Sequence, residues 1–550
     1  MKLTTKIRHL FRKVYFKRAI MLLLLPALAL QGCFLFDEPA ATPSAATSES
    51  PEPEDTAAPA IPPTGAQPTR GRFTLRYDSN STLNPITSLS SDNILLSSLM
   101  YESLFVLDGE LNAHPLLCES WSIEDEYTQV FIIKPDIPMS DGTFLTAEDV
   151  VYTLRQAMRV GRYINRFRCI DTVSATDDLT VRVTLKSSNT RFYRLLDVPI
   201  IKNGSIDSGV PPGSGPYTFT STPSLRLESF SSHRDFADLP LWTIYLRECA
   251  DSEVAELFDD GELSLLWDDP SNAINLRLNR LHETHYYETT ALQFIGFNAR
   301  SLALGDPDVR RAIGYAVERQ NIIDAVMPRQ ALASPLAFSP AYNLYDVEWE
   351  YTYNDPLVEM ALWLDYAGLE DNNNDSFLEY PDRNGGFISF SIDFIVNSEN
   401  RHKIAAANMI ADMMRRTGFD ISVRELPWDR FIEALQTGDF DMYYGEIVLS
   451  ADFDLSPLLL PDSPINYGRT GNSEYWHIID DFLRATMARG ERAAARQLCD
   501  EITRNSPFVP ILYKRYAVYM PTGAITGASP SQSGVFRSFT EWTIDVTMLS

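Results

Sequence analysis

One stretch in the C-terminal half constrains the fold most, because it alternates helical and extended patterns. Arg401–Arg416 has apolar residues at helical spacing and is followed by Gly418, a residue suited to the end of a helix. Residues 419–423 and 440–444 alternate as strands, and Trp428–Thr437 between them has the pattern of a helix. This order predicts an α/β layer in which helices pack on a sheet.

Similar patterns predict further elements elsewhere in the chain. Thr146 is a plausible N-cap for a helix that runs to about Met158. A second helix is expected from Pro307, with an apolar face that extends to Ile323. Short alternating runs predict strands at 73–77, 129–133 and 181–185. No period of 20–50 residues indicates a solenoid. The predicted fold class is α/β.

Composition excludes several classes of protein. The chain has 550 residues, which predicts three or four domains or large lobes. Its hydrophobic share of 45% and charged share of 22% exclude wholesale disorder and a polytopic membrane protein. The formal charge of −27 would repel a phosphate backbone, so no nucleic-acid partner is expected.

The first thirty-three residues have the pattern of an export signal. Seven basic residues precede any acid, and an apolar run follows from Ala19 to Leu30, too short to span a bilayer. The run ends in Leu30-Gln31-Gly32-Cys33, which resembles a bacterial lipobox. Residues 1–33 are therefore predicted to be a lipoprotein signal peptide with Cys33 as the lipidation site. The alternative is an uncleaved membrane anchor; both place the body outside the cytoplasm and tether it to the cell membrane.

Residues 34–72 are predicted to be a disordered tether. Between Glu38 and Pro68, eight of the 31 residues are Pro and eight are Ala, and Ile61 is the only large apolar residue. Such a segment cannot bury enough surface to offset the entropy of ordering. A lipid anchor followed by a spacer favours a protein that captures something at the membrane.

No catalytic motif is found. The chain lacks a P-loop and a Gly-x-Ser-x-Gly elbow, and its glycine-rich stretch at 209–217 is interrupted by prolines. The paired acids Asp259-Asp260, Asp268-Asp269 and Asp480-Asp481 are expected on solvated faces, with a polysaccharide hydrolase as the alternative. We therefore predict a protein that is not an enzyme and uses no cofactor.

One loop gives a weak metal signal. Asp371, Asn373 and Asp375 alternate as in the first half of a calcium loop, but Ser376 replaces the turn glycine. A polar hairpin tip is the alternative, and no other metal site is predicted. Cysteines other than Cys33 form no CxxC pair, so their disulfide state stays open.

Several segments, in unbroken order from residue 73 to the C-terminus, together resemble one family. They are Leu83-Asn84-Pro85, Tyr101–Phe105, Pro115–Trp121, Ser140–Val150, Ser214–Tyr217, Phe297-Asn298 with Asp308–Ile313, Gly438–Asp441 and Pro510–Tyr513. The family is the family 5 extracellular solute-binding proteins, the oligopeptide, dipeptide and nickel receptors of ABC importers. Cys118 stands where the family commonly has Ala.

The resemblance implies a two-lobed periplasmic-binding-protein-like architecture (class II, cluster C) with an extra subdomain in lobe I. Lobe I would combine residues 73–99, 203–288 and 511–550, and the extra subdomain would be 100–202. Lobe II would be 289–510. The chain would cross between the lobes near Thr289 and near Pro510, which gives a hinge.

The resemblance also implies ligand contacts. The segment Val448, Leu449, Ser450 and Asp452 matches one ligand-binding segment of the family, in which an Asp pairs with the α-ammonium of a peptide. Leu449 stands where an aromatic residue is common. A second matching segment contains Leu89 and Ser91, and the further candidates from the sequence are Tyr513 and Trp428.

The function implied is a lipid-anchored, monomeric receptor that captures peptides or a similar solute and delivers them to ABC permease subunits. The open alternatives are a surface receptor that senses a signalling peptide without import, and a receptor for a nickel chelate or an oligosaccharide.

Overall fold

A computed structural model describes residues 71–269, 276–353, 356–382, 384–470, 474–486 and 490–549. The predicted signal peptide with Cys33, and almost all of the predicted tether, lie outside the described residues. Within the described ranges, every helix is too short or too polar to cross a membrane.

The strands up to residue 269 are β1 (Thr74–Tyr77), β2 (Phe105–Leu107), β3 (Ala113–Pro115), β4 (Cys118–Ile123), β5 (Thr128–Ile133), β6 (Ile170–Ala175), β7 (Thr180–Leu185), β8 (Tyr217–Thr220), β9 (Arg226–Ser229), β10 (Thr243–Glu248) and β11 (Leu266–Asp268). The α-helices of this part are α1 (Ser91–Met100), α2 (Ala147–Ala157), α3 (Gly161–Ile164) and α4 (Val254–Asp259).

The strands after residue 276 are β12 (His282–Phe297), β13 (Ala331–Ala333), β14 (Glu379–Pro381), β15 (Phe387–Ser389), β16 (Ile392–Asn397), β17 (Ile421–Leu426), β18 (Met442–Val448), β19 (Phe508–Pro521), β20 (Ile525–Thr526) and β21 (Thr543–Ile544). The α-helices are α5 (Pro307–Ala316), α6 (Arg319–Val326), α7 (Pro356–Tyr366), α8 (Arg401–Arg416), α9 (Trp428–Thr437), α10 (Ser456–Leu459), α11 (Tyr475–Arg484) and α12 (Glu491–Asn505).

Two sheets build the first lobe. One has the order β1-β10-β9-β8, with β1 parallel to β10. The other is an antiparallel sheet with the order β4-β5-β7-β6, and α2 packs on β6 and β7. A single apolar core runs through both sheets and includes the C-terminal segment around Phe539 and Trp542.

A mixed sheet joins the second lobe to the first. Its order is β11-β19-β12-β18-β16-β17, with β13 also paired to β19. The long strands β12 and β19 pair with each other, and a β-bulge lies between Glu288 and Leu292. Tyr287 and Val518 belong to the core of the first lobe, whereas Ile295 and Leu512 belong to a core of the second. The two strands therefore pass between the lobes near Thr289 and between Leu512 and Val518, so the predicted two-lobed α/β fold is confirmed.

Local sequence signals predicted several elements correctly. The helices Arg401–Arg416 and Trp428–Thr437 have the expected bounds, and Gly438 ends the second with a φ of 79°. Thr146 caps α2 through a capping box with Asp149.

The helix expected from Pro307 through Ile323 is wrong in one respect, because it is two helices. Val317 leaves the helical conformation, with φ −80° and ψ 109°. The buried guanidinium of Arg319 donates hydrogen bonds to the carbonyls of Val317 and Pro510. These bonds satisfy backbone groups at the break and attach it to β19.

Candidate functional site

A segment of the first lobe, residues 187–194, docks directly on the second lobe; we call this contact the seam. The Asn189 amide Nδ2 donates to Asp452 Oδ2 at 2.7 Å. The hydroxyl of Thr190 donates to the Ala485 carbonyl at 2.9 Å. The two sides of these bonds are hundreds of residues apart in sequence, so the seam exists only when the lobes are together.

Arg191 carries the most contacts at the seam. Its side chain is 3% exposed, and Nε lies 2.9 Å from Glu491 Oε1. Nη1 donates to the Phe482 carbonyl at 2.5 Å, and the guanidinium lies 4.1 Å from the centre of the Phe482 ring. A buried charge with one ionic partner and a carbonyl acceptor is stable only while both partners stay in place.

Asp452, the residue matched to an ammonium-binding Asp, is 1% exposed in this structure. Besides Asn189, it accepts from the hydroxyl of Ser450 at 2.5 Å and from the backbone N–H of Asp454 at 3.3 Å. Asp454 next to it accepts from the backbone N–H of Ser456 at 2.9 Å, just before α10. Asp452 is therefore a buried carboxylate held by neutral donors.

A second polar cluster lies where β19 passes between the lobes; we call it the crossing network. Lys514 Nζ lies 2.8 Å from Asp269 Oδ1 and 2.7 Å from Glu446 Oε1. Glu446 also contacts Lys403 Nζ at 3.0 Å and Gln293 Nε2 at 2.9 Å. Asp269 belongs to the first lobe by its position after β11, and Glu446 and Lys403 belong to the second.

Electrostatics in the crossing network favour the charged forms of its paired members. Burial alone would lower the pKa of Lys514, but the carboxylates of Glu446 and Asp269 raise it above its ordinary value. Burial would likewise raise the pKa of Glu446, but Lys403 and Lys514 hold it well below its usual range. Asp268 differs, because burial and the neighbouring Asp269 raise its pKa to about 7.

Aromatic rings flank the crossing network on the first-lobe side. Trp267 Nε1 donates to the Tyr287 hydroxyl at 2.6 Å, and its ring meets that of Tyr516 edge to face at 5.4 Å. Lys514 Nζ lies 5.3 Å from the centre of the Tyr516 ring. The burial of Asp268 and the partial burial of Asp269 among these groups correct the expectation that this pair is a solvated acidic face.

The remaining predicted ligand contacts are scattered. Val448 at the end of β18 and Leu89 are exposed, at 62% and 76%. Leu449 is buried in a core of the second lobe, as is Tyr513, whose hydroxyl donates to the Ala337 carbonyl at 2.6 Å. Of the predicted set, Ser450 and Asp452 are joined by a side-chain hydrogen bond.

Two other predicted residues lie at helix starts. Ser91 is the first residue of α1, but the capping side chain is that of Ser90. Trp428 begins α9 and packs on Phe431, while its backbone N–H donates to Glu399. These contacts are structural in this arrangement.

Each side chain of the weak calcium candidate has an oxygen engaged by its own loop, while Asp371 Oδ1 is buried without a hydrogen-bond partner among the described residues. Asp371 accepts from the N–H of Ser376, Asn373 from that of Asp375, and Asp375 from that of Phe377. Across the ranges the structure covers, no group of three or more His, Cys, Asp or Glu could hold a metal ion. The cysteines Cys118, Cys169, Cys249 and Cys499 are free thiols.

Sequence reasoning named Asp452 and Asp269 but missed Asn189 and Arg191 at the seam and Lys514 in the crossing network. Lys514 had a usable signal in the sequence. It directly follows the apolar run Val509–Tyr513 and precedes Tyr516, and a lysine in such surroundings predicts a buried cation with a partner. Asn189 and Arg191 had none, since nothing local distinguishes them from surface residues.

Arg191→Ala is expected to loosen the seam. The change removes the ion pair to Glu491 and the bond to the Phe482 carbonyl, at a cost of about 2 kcal/mol, or on the order of thirtyfold in the equilibrium between joined and parted lobes. Small-angle scattering of the ligand-free protein would then show a larger radius of gyration. Arg496→Ala on the same helix, α12, is the matched control because its pair with Asp500 is exposed. An unchanged scattering profile for Arg191→Ala would contradict the role of Arg191.

Comparison with known proteins gives one family and a consistent set of relatives. The family model described as "Bacterial extracellular solute-binding proteins, family 5 Middle" matches residues 112–463. The glutathione-binding protein GsiB of Escherichia coli K12 is 24% identical over 474 residues, which cover 80% of this chain and 86% of GsiB.

Solved structures share the fold. The ABC transporter substrate binding protein CtaP of Listeria monocytogenes aligns with a TM-score of 0.70 and 19% identity, over 86% of this chain and 99% of CtaP. The oligopeptide-binding protein AppA of Bacillus subtilis, solved with a nonapeptide, aligns with a TM-score of 0.61 and 19% identity, over 87% and 100%. The relatives are solute-binding proteins, which fits a chain without a catalytic motif.

Proposed function

Because this chain belongs to the bacterial extracellular solute-binding proteins of family 5, we propose that it captures peptides or a similar small solute between its lobes and delivers them to an ABC importer. The relatives support this reading, since AppA was solved with a nonapeptide and CtaP is an ABC transporter substrate binding protein. GsiB adds glutathione, a γ-linked tripeptide, to the candidate solutes.

The observation that carries the proposal is the buried carboxylate of Asp452 at the seam. In this structure it accepts hydrogen bonds from Asn189 and Ser450. When the lobes part, Asn189 leaves, and a solute ammonium takes its place as a charged donor. Solute contacts to both lobes then favour the joined form, because only that form makes both sets of contacts.

A thermal-shift screen tests the solute class. Short peptides, glutathione, oligosaccharides and Ni²⁺ chelates are compared at equal concentration, and a solute that binds the folded protein raises its melting temperature by mass action. A shift with peptides alone supports the proposal. A shift only with a chelate or a sugar means that this solute, and not a peptide, is the cargo.

An uptake assay separates import from sensing of a signalling peptide. If the protein serves import, cells that lack it should take up less of the solute than cells that have it.

Asp452→Asn is expected to weaken a peptide with a free amino terminus far more than the N-acetylated peptide. Loss of a charge-assisted hydrogen bond costs about 1.5–3 kcal/mol, which is on the order of ten- to a hundredfold in Kd. Isothermal titration with the two peptides measures the ratio, and Asp420→Asn, an exposed residue, is the control. An equal loss for both peptides would remove Asp452 from this role.

The proposal includes lipid attachment at Cys33, supported by the basic and apolar segments that precede it. Cys33→Ser is expected to move the protein from the detergent phase to the aqueous phase in a phase-partition assay. Partition unaffected by this change would exclude Cys33 as the anchor.

A further inference from the structure

A cavity of about 210 Å³ lies at the seam. Both lobes line it, the first with Cys169, Ser187 and Asn189, and the second mainly with Asp454, Trp476 and Asp480. At about 30 Å³ per water molecule, this space holds roughly seven waters, which is room for one polar side chain. Asn189 links the cavity to the candidate site, because the same side chain donates to Asp452.

The charges around the cavity are predominantly negative. Asp480 is paired with Arg484 at 2.6 Å. Asp454 takes part in no salt bridge within the described residues and accepts from the neutral N–H of Ser456. The neighbouring Asp452 is likewise held by neutral donors. Two neighbouring carboxylates at the seam thus form no salt bridge within the described residues.

An aromatic wall adds a second feature suited to a cation. Trp476 lines the cavity and is 49% exposed, so one part of its ring system stays open. A cation over an indole face gains about 0.5–2 kcal/mol, and a carboxylate opposite adds a charge-assisted hydrogen bond. Lys and Arg are absent from the lining residues, and His477 is the one basic side chain among them.

We propose that the seam cavity binds a cationic side chain of the captured solute, that of a lysine or an arginine, between Asp454 and Trp476. This inference rests on the proposed function, because the cationic group belongs to the solute. It assigns the cavity to charge selection and predicts a preference for basic over acidic peptides.

The titration of Asp454 agrees with this geometry. Burial and the neighbouring Asp452 raise the pKa of Asp454 to about 6, while hydrogen bonds from Ser456 and the charge of Arg168 act to lower it. The other titratable groups that line the cavity are His477, Asp480, which pairs with Arg484, and the Cys169 thiol, whose pKa burial raises further from neutrality. A bound ammonium would add a positive charge directly beside the Asp454 carboxylate.

Isothermal titration with Lys-Ala-Ala, Ala-Ala-Ala and Glu-Ala-Ala tests the preference. We expect Lys-Ala-Ala to bind at least about tenfold more tightly than Glu-Ala-Ala, and Asp454→Asn to bring that ratio close to one. N-acetyl-Lys-Ala-Ala separates the side chain from the amino terminus as the source of the cation. Asp481→Asn, the exposed neighbour of Asp480, is the matched control. A Lys/Glu affinity ratio near one in the wild type would overturn the inference. So would a ratio that Asp454→Asn leaves unchanged, or that only the control Asp481→Asn changes.

A second measurement does not depend on peptide binding. The protein is labelled with 5-fluorotryptophan, and Trp476→Phe identifies the ¹⁹F resonance of Trp476. We expect n-butylammonium to shift this resonance and the neutral n-butanol to leave it in place, with Asp454→Asn abolishing the shift. Equal effects of the two probes, or no effect of either, would reject the cavity as a cation site. If n-butylammonium binds but no peptide does, the cavity stands and the peptide proposal fails.

Discussion

Lys514→Met is expected to lower the free energy of unfolding by about 3–5 kcal/mol. Lys514 is 1% exposed, and its ammonium is the shared partner of Asp269 and Glu446. Methionine preserves the length and the apolar stem but removes the ammonium between Asp269 and Glu446, while Glu446 keeps its contact with Lys403. The cost is therefore that of uncompensated buried charge, not that of lost packing.

Calorimetric or urea unfolding measures this loss, and an exposed pair provides the control. Arg430 and Glu433 have side chains 71% and 58% exposed, so Arg430→Met should change stability by no more than about 0.5 kcal/mol. Adding Asp269→Asn to Lys514→Met should recover part of the loss, because one of the two neighbouring carboxylates is then neutral while Glu446 keeps Lys403. Wild-type stability of the single variant would show that the crossing network contributes nothing.

Asp268→Asn is expected to stabilise the protein at pH 8 by about 2–4 kcal/mol while changing little near pH 4. The pKa of Asp268 rises from 3.8 to about 7 on folding, because burial and Asp269 disfavour its charged form. The folded state therefore binds more protons than the unfolded state between these values. By linkage, the free energy of unfolding falls as the pH rises through this window, and the amide removes that slope.

The difference between wild type and variant isolates Asp268, because Asp454 has a raised pKa and adds a slope of the same sign to both proteins. Unfolding is followed from pH 4 to pH 8 in each. Asp260→Asn, an exposed acid that follows α4, should leave the pH profile unaltered. Parallel profiles for wild type and Asp268→Asn would mean that Asp268 titrates alike in the folded and unfolded states.

Both predictions concern residues that the sequence placed on a solvated surface or did not single out. Asp268-Asp269 was expected to be a solvated acidic pair, and its burial depends on β19 bringing Lys514 and Tyr516 beside it. The strands β11 and β19 are far apart in the chain, so no local pattern indicates that they pair.

The sequence by itself determined the local elements and the family. Periodicity set the bounds of Arg401–Arg416 and Trp428–Thr437, and short-range capping set the start of α2 at Thr146, because these depend on neighbours within a few residues. Ordered motifs were enough to indicate the two-lobed fold, since they recur with it across the family.

Only the tertiary structure decided which side chains meet. Asn189 reaches Asp452 across 263 residues, and Lys514 reaches Asp269 across 245. Such contacts depend on how the two lobes dock and how the two long strands pair. The residues next to each of these side chains in the sequence indicate neither the docking nor the pairing. The burial that perturbs Asp268 and Asp454 arises in the same way, because a carboxylate is desolvated by what packs over it.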